Sequence, residues 1–395
     1  MVQDYLLAHW DQLPGGRPRP SRLSFLGQGT GASKACFFAF ADDDPLPRYI
    51  VKMPRSLFHN ERLKQELSII EELRTTLSQD LRRTLPGPMH VVRLSGNWVI
   101  VEPVLPGQPM DSLIRPGEPS DPARTTALMG LAHDWLIRIQ RGARFREGVL
   151  DTGLIYTHFL EPLEAALAHS NLTIAEARYI DDLMRAALEL EGQEMPLYLY
   201  HGDFRPGNVL IDTDQVAVLD WQFSRPLAPP LQDWFSFVFR FHSRTLDLPD
   251  IDGALEAYRS AFRQLFFVRN WLSELVKDYT WAYCHSLGVD MAFLPLLFGM
   301  FVVNNINKFH AFLTERAERG YLYLLKGSPT SDRSYREQLR RQVYVWLLGD
   351  LAADSDALVL GAMATPSGTN VPSSNGRHPS SNFQVSAAYG HISPP

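Results

Sequence analysis

The chain has 395 residues, 45% of them hydrophobic and 11% aromatic, enough for a large core and more than one small domain requires. Its formal net charge is −6 with no long basic run, which argues against a nucleic-acid partner bound through its phosphate backbone. Only two cysteines occur, Cys36 and Cys284, without a C-x-x-C pattern, so neither a disulfide framework nor a zinc site is indicated.

Met1 to Leu7 lacks the basic start and long apolar core of a signal peptide, so a cytoplasmic chain is expected, with residues 1–19 as an N-terminal extension. A short strand then leads into Phe25-Leu26-Gly27-Gln28-Gly29-Thr30-Gly31-Ala32-Ser33, and an apolar strand, Ala35 to Phe40, follows. Glycines at 27, 29 and 31 allow a hairpin to lie close over phosphates and offer them backbone N–H groups. Cys36, on the following strand, reads as a packing residue. Arg48 to Met53 is a strand carrying Lys52, a compact point charge suited to nucleotide phosphates. Between Asn60 and Leu77, apolar residues at Leu63, Leu67, Ile70 and Leu73 have helical spacing. Glu66 lies beside that apolar face, with Glu61, Glu71 and Glu72 as alternatives. Strands His90 to Leu94 and Asn97 to Val101 flank a Ser95-Gly96 turn and run into Glu102-Pro103-Val104-Leu105-Pro106-Gly107.

Leu128, Leu131, Ala132, Trp135, Leu136 and Ile139 mark an amphipathic helix over residues 122–141. A second helical region, residues 253–348, is rich in aromatics whose spacing is that of core residues. Its longest apolar run, Met291 to Val303, contains Pro295 and Gly299 and falls short of the about twenty residues of a membrane span, so a buried helix is expected. Residues 351–395 read as a tail. From about Thr365 they are dominated by Ser, Thr, Pro, Gly and Asn, a composition that predicts disorder.

The most informative stretch is His201-Gly202-Asp203-Phe204-Arg205-Pro206-Gly207-Asn208, followed by Val218-Leu219-Asp220-Trp221. Strands are expected at Leu197 to Tyr200 and Val209 to Ile211, with a turn at Asp212 to Gln215 and a third strand ending in Asp220. That layout presents two carboxylates and a carboxamide from adjacent loop ends. Phosphoryl transfer needs an acid or base beside the acceptor hydroxyl, a role that suits Asp203. It also needs oxygen ligands for Mg²⁺, which suits Asn208 and Asp220.

This segment resembles the aminoglycoside phosphotransferase and choline kinase group of the protein-kinase-like superfamily. The match comprises His201, Gly202, Asp203, Asn208, Asp220 and Trp221, with Gln232-Asp233-Trp234 resembling a downstream structural Asp. The resemblance extends over roughly residues 23–350, although only 198–234 is specific. It implies a two-lobed α+β fold, with a small antiparallel-sheet lobe over 20–103 and a larger, mainly helical lobe over 104–350. It also implies that Glu66 orients Lys52, that backbone groups of Glu102 and Val104 meet the nucleotide base, and that His201 braces the catalytic loop. Arg205 stands where protein kinases place a lysine that meets the γ-phosphate. The third glycine comes one place earlier than in the protein-kinase pattern. The implied activity is ATP- and Mg²⁺-dependent transfer to a hydroxyl of a small molecule such as an amino sugar, a choline-like alcohol, a sugar or a secondary metabolite. GTP is an alternative donor. A nucleotide-binding scaffold is the main rival. A protein kinase is the weaker one, because little room for an activation loop separates Asp220 from Asp233.

Overall fold

The computed structural model describes residues 2–14, 19–28, 34–42, 44–55, 59–116, 121–143, 148–246, 251–318, 344–353 and 358–362. Gly29, Gly31 and the tail from Thr365 onward lie outside the described residues. Helix α1 (Val2–Ala8) precedes β1 (Leu23–Gln28), β2 (Lys34–Ala41) and β3 (Tyr49–Pro54). Then come α2 (Asn60–Thr76), the short α3 (Gln79–Arg82), β4 (His90–Leu94) and β5 (Asn97–Pro103). The five strands form one antiparallel sheet in the order β1-β2-β3-β5-β4. Side chains alternate between the faces of a strand, so register decides which residues share a face. Cys36 lies opposite Lys52 and Ile50 opposite Glu102, which brings Lys34, Lys52 and Glu102 to the same face. On this lobe Leu6, Trp10 and Leu13 from the N-terminal segment are buried together with Leu23, Ala39, Tyr49, Val51, Val99 and Val101. Residues 2–14 thus contribute packing to the sheet.

The second lobe begins at β6 (Gln108–Pro109) and continues through α4 (Pro122–Gly142), α5 (Thr152–Ile155), α6 (Glu161–His169) and α7 (Ile174–Leu188). Four short strands follow: β7 (Tyr198–Tyr200), β8 (Val209–Asp212), β9 (Gln215–Val218) and β10 (Arg225–Ala228). They pair as β10-β7 and β6-β8-β9. Helices α8 (Gln232–Thr245), α9 (Ile251–Phe266), α10 (Trp271–Leu287) and α11 (Leu294–Glu318) complete the lobe, with a further helical segment at Tyr344–Ala353. Phe235, Phe262, Phe266, Phe298 and Phe301 form its aromatic centre, several of them edge to face. Met291–Ala311 is long and apolar enough to cross a membrane, yet 67% of an apolar 18-residue portion of it is buried within the fold, in keeping with the core helix expected from its sequence.

One packing feature departs from a simple two-lobe division of the sequence. Ile69, Ile70, Leu73, Leu77, Leu81 and Leu85, from α2, α3, their connection and the residues just after α3, belong to the apolar core of the larger lobe. Gln65 of α2 also donates to the carbonyl of Ser224 at 2.9 Å, just beyond Asp220.

Candidate active site

The loop between β7 and β8 is held from behind by Asp233, at the start of α8. Its carboxylate accepts the backbone N–H groups of His201 (2.7 Å) and Gly202 (3.0 Å). Burial pushes the Asp233 carboxyl up to about 7, against the pull of these two donors. Gly202 adopts φ +79°, and a Cβ there would come within 2.4 Å of the Phe223 carbonyl, so this position admits only glycine without a backbone shift. His201 is buried and neutral. Its Nε2 donates to the Leu219 carbonyl at 3.0 Å, while its Nδ1 accepts the Asp203 N–H at 3.2 Å. The two partners define the tautomer, and burial brings its pKa down to about 4. The ring is a brace between the two loops that carry the carboxylates.

Asp203 is surrounded by donors. Its Oδ2 accepts from Arg205 Nε (3.0 Å) and Asn208 Nδ2 (3.0 Å), and its Oδ1 lies 3.1 Å from Lys308 Nζ. Lys308, on α11, also donates to the Gly202 carbonyl at 2.6 Å and sits 4.8 Å from the centroid of the Phe223 ring. Burial alone would raise the Asp203 pKa, but Lys308 and Arg205, with Arg240 beyond them, hold it far below the usual carboxylate range. Asn208 Nδ2 is committed to the Asp203 carboxylate and carbonyl, which turns its side-chain oxygen away from them. The Leu219 N–H donates to the Asn208 carbonyl at 2.9 Å, fixing the following Asp220 beside Asn208. Asp220 has φ +68°, a left-handed conformation that Asp tolerates better than most residues.

The roof of the site contributes a buried chain of charges. Lys52 Nζ is 2.7 Å from Glu66 Oε1 and 2.7 Å from Glu102 Oε1. Glu66 Oε2 is 2.6 Å from Lys34 Nζ, which is in turn 2.7 Å from Asp220 Oδ1. Burial opposes charge on both lysines, yet their carboxylate partners hold each above the usual lysine range. Against its own burial, Glu66 is brought down to about 2 by Lys34 and Lys52. Burial raises Glu102, which has one lysine partner and leaves Oε2 without a hydrogen bond.

Asp203, Arg205, Asn208, Lys52, Glu66 and Asp220 are therefore brought together, and of the alternative glutamates it is Glu66 that meets Lys52. Gly27 lies in β1, whereas Gly29 and Gly31 fall outside the described residues. Of the backbone groups expected to meet the base, the Val104 N–H donates to the Arg48 carbonyl at 3.2 Å, continuing the pairing of β3 with β5. Glu102 lies within β5 and contributes its carboxylate to the site, a role the sequence did not suggest. Lys34 and Lys308 were also missed. Each carried a signal: Lys34 heads an otherwise uncharged strand, and Lys308 is the first charge on a long apolar helix.

The donors suit a hard cation. The free face of Asn208 and the Asp220 carboxylate would supply two oxygen ligands, the number Mg²⁺ commonly takes from protein when phosphates and water supply the rest. Among the described residues no cluster of three or more His, Cys, Asp or Glu forms a self-sufficient metal cage.

A family model described as the phosphotransferase enzyme family matches residues 31–272. Among solved structures, macrolide 2'-phosphotransferase MphH from Brachybacterium faecium is 17% identical, with a TM-score of 0.45 over 88% of this chain and 96% of its own. A thermostable mutant of aminoglycoside phosphotransferase APH(4)-Ia, in ternary complex with ADP and hygromycin B, is 13% identical, with a TM-score of 0.47 over 87% of this chain and 98% of its own. Amicoumacin kinase hAmiN, in complex with AMP-PNP, Ca²⁺ and Ami, is 13% identical, with a TM-score of 0.44 over 89% and 94%. No match is found among curated protein sequences.

Proposed function

Because the chain belongs to the phosphotransferase enzyme family, we propose that it transfers the γ-phosphate of ATP, with GTP as the alternative, to a hydroxyl of a small molecule in the presence of Mg²⁺. The observation that carries this reading is the convergence of Asp203, Asn208 and Asp220 beneath the Lys52–Glu66 pair. Mg²⁺ bound at Asn208 and Asp220 would neutralise phosphate charge. Lys52, positioned by Glu66, steadies the phosphates. Asp203 orients the acceptor O–H. With its basicity lowered by Lys308 and Arg205, it takes the proton late, as the new P–O bond forms. Arg205, about two-fifths exposed, is placed to meet charge on the transferring group. The cations around Asp203 favour an acceptor that is neutral or anionic near its reacting hydroxyl over a polycationic amine.

Two measurements test this. Thermal-shift titration should show stabilisation by an Mg-nucleotide, on the order of 2.7 kcal/mol at a hundred times Kd. An ADP-release assay across hydroxylated compounds sorted by charge should then find turnover. Absence of stabilisation by any Mg-nucleotide would refute the reading. Stabilisation without turnover on any small molecule would favour the scaffold instead.

A further inference from the structure

We propose that Lys34 is a displaceable counter-ion of the cation site. It neutralises Asp220 in the empty enzyme, releases that carboxylate to the arriving divalent ion, and becomes a ligand of the nucleotide phosphates. The proposal rests on the phosphotransferase reading and adds a binding residue to it.

The geometry is specific. Lys34 opens β2, directly after the glycine-rich segment, and its register opposite Pro54 puts it on the same face as Lys52. It is 9% exposed and reaches from the smaller lobe to the larger, bridging Glu66 Oε2 at 2.6 Å and Asp220 Oδ1 at 2.7 Å. Glu66 therefore holds two ammonium groups, one on each oxygen. The chain Asp220–Lys34–Glu66–Lys52–Glu102 comprises three carboxylates and two ammoniums, a net formal charge of −1.

A divalent cation on Asp220 would share its carboxylate with an ammonium already at hydrogen-bond distance, and like charges so close in a poorly hydrated site repel strongly. One must leave. Lysine has a flexible four-carbon stem, and this one is anchored where the backbone runs from the glycine-rich segment into β2. When nucleotide arrives with its ion, the incoming phosphates offer Lys34 a richer negative partner than Asp220. Glu66 retains Lys52, so the positioning pair survives the exchange.

The test uses Lys34→Met, which keeps an apolar stem and removes the charge. Mn²⁺ binding without nucleotide is read by electron paramagnetic resonance, and ADP binding in EDTA by calorimetry. The variant should bind Mn²⁺ about tenfold more tightly, because the competing cation is gone, and metal-free ADP about tenfold more weakly, because a phosphate ligand is gone. A Lys34 that only supports the fold would loosen both or change neither, and either result overturns the proposal. If the variant does not fold, a crystal structure of the unsubstituted protein with Mg²⁺ and a non-hydrolysable ATP analogue decides. Lys34 Nζ should lie within about 3.2 Å of a phosphate oxygen and away from Asp220. An ammonium still on Asp220 overturns the proposal. Failure of the unsubstituted protein to bind either Mn²⁺ or ADP would refute the phosphotransferase reading itself, and the role of Lys34 with it.

Discussion

Two aspartates seventeen positions apart have opposite local demands, and this separates their roles experimentally. Asp203 is encircled by Arg205, Asn208 and Lys308, whereas Asp220 faces the roof. Asp203→Ala should leave Mg-nucleotide binding within a few fold while turnover falls by roughly 10²-fold or more, the scale of a positioned acid or base. Asp220→Ala should lose Mg-supported nucleotide binding as well as turnover. Calorimetry and single-turnover kinetics on the two variants check this, and the reverse pattern would exchange the assignments. His201 provides a pH test. Unfolded, it takes a proton below about 6.5. Folded, it does so only below about 4. Its contribution to stability is therefore present at neutral pH and lost as pH falls from 6.5 towards 4, amounting to at most about 3 kcal/mol. Asp233, raised to about 7, works the other way over the same interval, its contribution growing as pH falls. The difference between the unsubstituted protein and His201→Gln isolates the histidine. The loss of melting temperature from pH 7 to pH 4.5 should be smaller in the variant.

Among the elements, the legible part of the sequence was whatever a short segment fixes by itself. The loop from His201 to Asn208 and the hairpin to Asp220 place their groups through local backbone, so spacing was enough. Strand and helix limits fell within a few residues of expectation for β2, β3, α2, β4 and α4. Lys34 and Lys308 were not legible, because what makes them part of the site is a partner 186 and 105 positions away in sequence. The Glu102 side chain was overlooked because the extra residues of β5, and thus its alternation, follow from pairing with β3. Helix α10 offers a contrasting test of stability without chemistry. Asn270 caps it, accepting the N–H groups of Leu272 and Ser273 at 2.9 and 3.1 Å, while Ser273 Oγ accepts the Asn270 N–H at 2.9 Å. Asn270→Ala should cost on the order of 1–2 kcal/mol in urea unfolding and leave kcat unchanged.

For the whole molecule, the sharing of α2 and α3 with the larger core has a mechanical consequence. If α2 rides with the larger lobe, the surface along which the protein flexes runs between α2 and the five-stranded sheet. It crosses the chain at the links between the sheet and the α2–α3 segment as well as at the connection after Pro103, because β5 belongs to the sheet and β6 to the larger lobe. Glu66 then stands on the fixed side, and Lys34 and Lys52 on the moving side. Any rocking of the sheet is felt first as a change in those two ammonium–carboxylate distances. Spin labels on α2 and α4 should keep a constant separation when Mg-nucleotide is added, while labels on α2 and β1 should shift. The positioning carboxylate would then be a stationary abutment against which the nucleotide-holding sheet opens and shuts.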